Sequence, residues 1–187
     1  MMSKDRERLL ELLRTRSFAR KRVVLASGKE SDFFIDCKQT VLTAEGHALC
    51  GAILFDAVQA YTPAAVAGVE LGGCPLASAV ALVSFQRGLP IDAIYVRKDA
   101  KDHGSRRDIE GNTTLPERAR VVLVEDVITT GGSTLKAVEK LRSANYEVAG
   151  VVALVDRLEG GAENITSAKL PLETIFTRRD FISEADS

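Results

Sequence analysis

The spacing of apolar residues changes along this chain, and each change marks an element. Leu9, Leu10, Leu12 and Leu13, leading toward Phe18, sit among charged residues at helical spacing. They predict an amphipathic helix from about Lys4 to Arg16, capped by Ser3. Val23 to Leu25 and Asp32 to Asp36 read as two short strands around a Ser27-Gly28 turn. Helical spacing returns from Ala44 to Tyr61 through Ala48, Leu49, Ala52, Ile53, Ala57, Val58 and Tyr61, with Thr43 as N-cap and Pro63 beyond the end. From there strands and helices alternate: strand Ala64 to Val69, helix Leu76 to Gln86 stopped by Gly88, then strands Asp92 to Val96 and Val121 to Val124. Helix Thr134 to Asn145 follows, with Val138 and Leu141 facing inward, then strand Val148 to Val155 and an edge strand at Leu172 to Phe176.

Strands alternating with helices imply right-handed crossovers and a parallel sheet flanked by helices on both faces, an α/β architecture. Residues 1–187 read as a single domain, with a small N-terminal hood over about residues 1–40 that the C-terminal segment can join. Ligands of such sheets bind at the strand C-termini, which puts the loops after Val69, Val96, Val124 and Val155 on one rim. Arg178 and Arg179 lie beyond the edge strand and read as a solvated tail.

Composition narrows the function classes. The chain is 45% apolar and 27% charged with a net charge of −1, which excludes a generally basic nucleic-acid binder. Charges interrupt the N-terminal leucines and no apolar run approaches a membrane span, so a cytoplasmic protein is expected. Cys37, Cys50 and Cys74 are odd in number and lack C-x-x-C spacing, so they read as free thiols rather than a disulfide framework or zinc site.

The chemistry concentrates in VVLVEDVITTGGST, from Val121 to Thr134. Four apolar residues suit a strand buried on both faces, and Glu125 and Asp126 follow it. After Val127 and Ile128, the tract Thr129, Thr130, Gly131, Gly132 and Ser133 opens onto a helix. A helix start leaves backbone N-H groups unpaired, glycines let an anion approach them, and the hydroxyls add donors. The two carboxylates would repel a phosphate, so they face either sugar hydroxyls or a bound cation. A P-loop lysine after the glycines and a G-x-G-x-x-G turn are both missing.

Three further loops share the rim. Arg97 to Thr114 is long, lacks a helical or strand period, and carries Arg97, Lys98, Lys101, His103, Arg106 and Arg107, as a lid over an anion would. Gly72-Gly73 before a helix either exposes backbone donors or is plain architecture. Arg157 either pairs with Asp156 or Glu159, or offers its planar fork to a carboxylate.

The stretch 121–134 resembles the phosphoribosyl diphosphate (PRPP) motif of the type I phosphoribosyltransferases. The string R-K-x-x-K-D-H-G, from Arg97 to Gly104, is similar to the mobile catalytic loop of the orotate phosphoribosyltransferases. That resemblance implies the type I phosphoribosyltransferase fold and transfer of the phosphoribosyl group of PRPP to orotate. It implies catalytic roles for Lys101 and His103, PRPP contacts from Arg97, Lys98, Lys101, His103 and residues 125 to 133, and orotate contacts from Arg157 and Thr129. Magnesium would come with PRPP rather than on dedicated ligands, and the lid would act across a homodimer. Ser27 to Phe34 is similar to the family segment K-S-G-x-x-S-x-F-F, which sets Phe33 and Phe34 beside the base. Ala26 replaces its leading lysine, and Gly72 stands where some relatives carry another. A purine-specific transferase or a PRPP-sensing regulator would share the 121–134 motif, but the lid cations argue against both.

Overall fold

The computed structural model describes residues 2–24, 30–98, 108–111 and 113–182. The first half contains α1 (Lys4–Leu12), β1 (Phe18–Val24), β2 (Glu30–Ile35), α2 (Lys38–Val41), α3 (Ala44–Val58), β3 (Ala65–Val69), α4 (Gly73–Gln86) and β4 (Asp92–Val96). The second contains β5 (Ile109–Glu110), β6 (Arg120–Ile128), α5 (Gly132–Ser143), β7 (Glu147–Asp156), α6 (Gly161–Ser167) and β8 (Leu172–Thr177). The main sheet has the order β5-β4-β3-β6-β7-β8, and β1 with β2 forms a separate antiparallel ribbon. The five longer strands are parallel.

β5 runs antiparallel to β4, so the sheet is mixed rather than wholly parallel. This strand lies within the 97–114 connection, where the sequence pattern predicts no strand. Two residues are too few to show an alternation; the buried Ile109 opposite Val96 holds them.

The central strands carry almost no polar side chains because both their faces are covered. Val121, Val122, Leu123 and Val124 are all fully buried. Their alternation sends Val122 and Val124 into a core with α1, α3 and α4, and Val121 and Leu123 into a second core with α5 and α6. The expected helices are present, with shifted ends. α1 runs on into a π-helical turn, Leu13–Ser17, and α3 into a 3-10 turn, Gln59–Tyr61. Thr43 caps α3 by accepting from the Gly46 N-H at 3.1 Å. α4 starts at Gly73, ahead of the expected Leu76, because Pro75 is tolerated in a first turn that needs no donor from it. α6 is not legible in the sequence; at seven residues, with Ile165 its one buried large apolar side chain, it shows no period.

The C-terminal segment joins the ribbon. Phe181 lies 5.6 Å from both Phe18 and Phe33, ring centroid to ring centroid. Arg178 pairs with Asp32 at 2.5 Å and lies over the Phe33 ring, so it is no solvated tail; Arg179 is exposed. Among the described residues no helix is long and apolar enough to cross a membrane.

Candidate active site

A difference in strand pairing opens the site. β3 pairs with β6 only as far as Gly68 opposite Val124, whereas β7 follows β6 to Asp156 opposite Ile128. The last four residues of β6 therefore have a strand on one side and a cleft on the other. A cavity of about 220 Å³ fills that cleft, lined by Lys38, Glu70, Gly72, Lys98, Glu125 and Asp126 among others. This is the topological switch point, where parallel sheets bind ligands.

Glu125 and Asp126 are strand residues, not the residues after a strand ending at Val124, so they point to opposite faces. Glu125 is buried under α5 and accepts from the Thr134 hydroxyl at 3.1 Å. Asp126 turns toward α2 and α4, where an ideal Cβ on Gly72 would lie 2.1 Å from its Oδ2. Gly72 is thus what lets this carboxylate sit against the loop from Glu70 to Gly73. The Glu70-Leu71 peptide in that loop is cis.

Burial pushes the Glu125 carboxyl up to about 8, and the neighbouring Asp126 adds to the rise. Burial also raises Asp126, opposed by the positive charge of Lys38. An unfolded Glu releases its proton near 4.5 while the folded one keeps it to about 8, so ligand-free stability falls as pH rises across that window. Glu125→Gln, which keeps the acceptor for Thr134, should remove this slope. At about 1.4 kcal/mol per unit of pKa, the variant should gain a few kcal/mol over wild type near pH 8 and little near pH 5. Thermal unfolding at both pH values checks this; an equal difference at both would contradict it.

After Ile128 the chain turns through Thr129 and Thr130 into α5. Gly131 takes φ +78°, a conformation that favours glycine, and an added Cβ would also crowd the Gly161 carbonyl at 3.2 Å. The first helical bond runs from the Leu135 N-H to the Gly131 carbonyl at 2.9 Å, so the amides of Gly132, Ser133 and Thr134 belong to the open first turn. α6 buttresses the turn: Asn164 Nδ2 donates to the Thr130 carbonyl at 2.9 Å. Gly132 and Ser133 are exposed, as an anion-binding turn requires, and Thr129 is half-buried.

Arg157 sits beside this turn, 8% exposed, with its N-H donating to the Ile128 carbonyl at 3.0 Å. Its Nη2 donates to the Phe33 carbonyl at 2.9 Å and pairs with Glu159 at 2.8 Å. The bland pairing expected of Arg157 is therefore real, and it holds the guanidinium next to Phe33. The Phe33 ring is fully buried in the Phe18–Phe181 cluster, so it is a floor beneath Arg157 and Arg178 rather than an open platform. Phe34 points the other way and meets Lys21, whose Nζ is 3.8 Å from its ring centre.

Arg97 and Lys98 stand at the end of β4, and Lys98 lines the cavity. Lys140 fixes both stems of the connection that leaves there, donating to the carbonyls of Arg97 at 2.8 Å and Lys98 at 3.0 Å and pairing with Asp108 at 2.8 Å. Lys101 and His103, expected to be catalytic, lie outside the described residues, as do Ala26, Arg106 and Arg107. Lys38 and Lys140 were missed. Their only signal is positional, a lysine just past β2 and one on the α5 face toward the stems, and neither belongs to a motif.

A family model described as phosphoribosyl transferase domain matches residues 41–179. A protein from Sorangium cellulosum named orotate phosphoribosyltransferase is 68% identical over 181 residues, 96% of this chain and 94% of the relative. One of the same name from a Bradyrhizobium species is 45% identical over 96% of this chain and 98% of its own. Among solved structures, Mycobacterium tuberculosis orotate phosphoribosyltransferase in complex with PRPP superposes with a TM-score of 0.78 at 34% identity, covering 95% of this chain and 98% of that one. The same enzyme with Fe(III) dicitrate gives a TM-score of 0.81 at 38% identity, covering 95% and 98%.

Proposed function

The chain belongs to the orotate phosphoribosyltransferase family, and from that premise we propose how its residues divide the work. The reaction transfers the phosphoribosyl group of PRPP to orotate, giving orotidine 5'-phosphate and diphosphate in pyrimidine nucleotide synthesis. The observation that carries the site reading is the cleft beside β6, with the buried Glu125 and the half-buried Asp126 in its lining and the open first turn of α5 at its end. Residues 1–187 act as one phosphoribosyltransferase domain, its hood built from about residues 1–40 and the C-terminal segment around Arg178 and Phe181.

Displacement of diphosphate builds positive charge on the ribose and negative charge on the leaving group, so catalysis is chiefly positional and electrostatic. The turn from Thr129 to Ser133 anchors the 5'-phosphate, following Val127 and Ile128, which set its entry angle. Glu125 and Asp126 accept from the ribose hydroxyls. Arg97, Lys98, Lys101 and His103 stabilise the departing diphosphate, with Lys101 and His103 as the catalytic pair. Arg157 and Thr129 hold the orotate carboxylate and ring; Phe33 contributes through its carbonyl and the floor it forms rather than by stacking.

The donor set fits magnesium as a passenger. Asp126, half-buried in the cavity lining, would face an ion that comes with PRPP. The ion would supply charge neutralisation at the diphosphate. A cytoplasmic location fits the three free thiols. A panel of orotate, adenine, guanine and hypoxanthine with PRPP tests the substrate: turnover confined to orotate is expected, and purine turnover would sink it.

A homodimer is supported by the outer face of α4 and the turn after it, where Leu82, Phe85 and Leu89 are more than half exposed. Phe85→Glu should turn a dimer into a monomer by light scattering, with activity falling on dilution if the lid works across subunits. A variant that stays dimeric would place the interface elsewhere.

A further inference from the structure

We infer that Lys38 is a diphosphate-binding residue of this site, a role that rests on the PRPP reading of the cavity. Three observations lead there. The cleft is lined by three carboxyl groups, Glu70, Glu125 and Asp126, and among the described residues its lining cations are Lys38 and Lys98. A diphosphate entering such a cleft needs positive charge to offset its own and that of the carboxylates that stay ionised beside it. Lys98 supplies it from the end of β4, and Lys38 from α2, near Asp126.

The loop from Glu70 to Gly73 lines the same cavity but brings no cationic side chain to it. Any side chain at position 72 would begin 2.1 to 2.4 Å from the Asp126 carboxylate atoms, so in this backbone the loop offers no cation there. Lys38 is also held in place. Its Nζ pairs with Asp36 Oδ1 at 2.5 Å, while Asp36 accepts from the Lys38 N-H at 3.3 Å and from Gln39 Nε2 at 3.1 Å. An ammonium has three donors and the Asp36 bond takes one, so a tethered, 38% exposed side chain on the cavity wall retains donors for phosphate oxygens. The ion pair is partly exposed, so its loss should cost little stability and leave the fold intact.

The alternative is that Lys38 only orients Asp126, and ligand choice separates the two. Wild type, Lys38→Ala, Lys38→Arg and Asp36→Asn should be titrated by calorimetry with magnesium-PRPP, inorganic diphosphate and ribose 5-phosphate. Loss of a charge-assisted contact to diphosphate predicts that Lys38→Ala weakens PRPP and diphosphate by about tenfold or more. Ribose 5-phosphate, which keeps the hydroxyls and the 5'-phosphate, should change by less than about twofold, and Lys38→Arg should restore most of the loss. Asp36→Asn, which keeps an oxygen acceptor, should stay close to wild type. Equal weakening of ribose 5-phosphate and diphosphate, or unchanged diphosphate binding, would overturn the assignment. A wild type that binds none of the three would overturn the PRPP site itself, and Lys38 with it.

Discussion

Lys101→Ala is expected to lower turnover by about 10²- to 10³-fold, the usual cost of removing one donor aimed at charge that develops in the transition state. Its effect on PRPP affinity should be much smaller, less than about fivefold, because the charge it would stabilise develops only in the transition state. Lys101 follows three residues after Lys98, which lines the cavity and whose carbonyl Lys140 fixes. Steady-state kinetics beside calorimetry separates the two effects. Equal loss of turnover and PRPP affinity would make Lys101 a binding residue only, and an unchanged rate would remove it from the mechanism.

Arg157→Ala is expected to be nearly as severe, but on the other substrate. The planar guanidinium is buried, fixed by the Phe33 carbonyl and Glu159, and backed by the Phe33 ring. A carboxylate held by charge-assisted hydrogen bonds loses about 1.5–3 kcal/mol with each of them. Losing two should cut kcat/KM for orotate by about 10²- to 10³-fold or more. PRPP binding should persist, and Arg157→Lys should recover only part of the loss because an ammonium lacks the fork. The variant should also unfold about 1–3 kcal/mol more easily, because the half-buried Glu159 would lose its partner. Wild-type KM for orotate in Arg157→Ala would show that this arginine only braces the hood.

Much of this was legible in the chain, and the reasons differ by element. β6 announces itself because a strand buried on both faces must be continuously apolar, and α3 because fifteen residues give its period room to repeat. The end of β6 was misplaced because two acids look like the close of a strand, whereas pairing with β7 carries the backbone on to Ile128. β5 and α6 are too short for any period. The turn at Gly131 was readable, since a glycine-rich tract between an apolar strand and a helical period marks a tight entry, and Gly131 takes φ +78° there. Lys38 was not: a lone lysine gains meaning only when folding sets it beside Asp126, 88 positions on. Arg178 was misread for the same reason, since its partner Asp32 is 146 residues away.

The measurement that bears most directly on the account is the loss of orotate absorbance with PRPP and magnesium, for the wild type beside Asp126→Asn. Asp126 sits where the strand pairing opens the cleft, so it joins the reaction to the site. The account predicts PRPP-dependent orotate consumption by the wild type and a rate lower by about 10²-fold or more in the variant. Wild-type turnover that survives unchanged in Asp126→Asn would contradict the site, and a wild type with no PRPP-dependent loss of orotate would contradict the function.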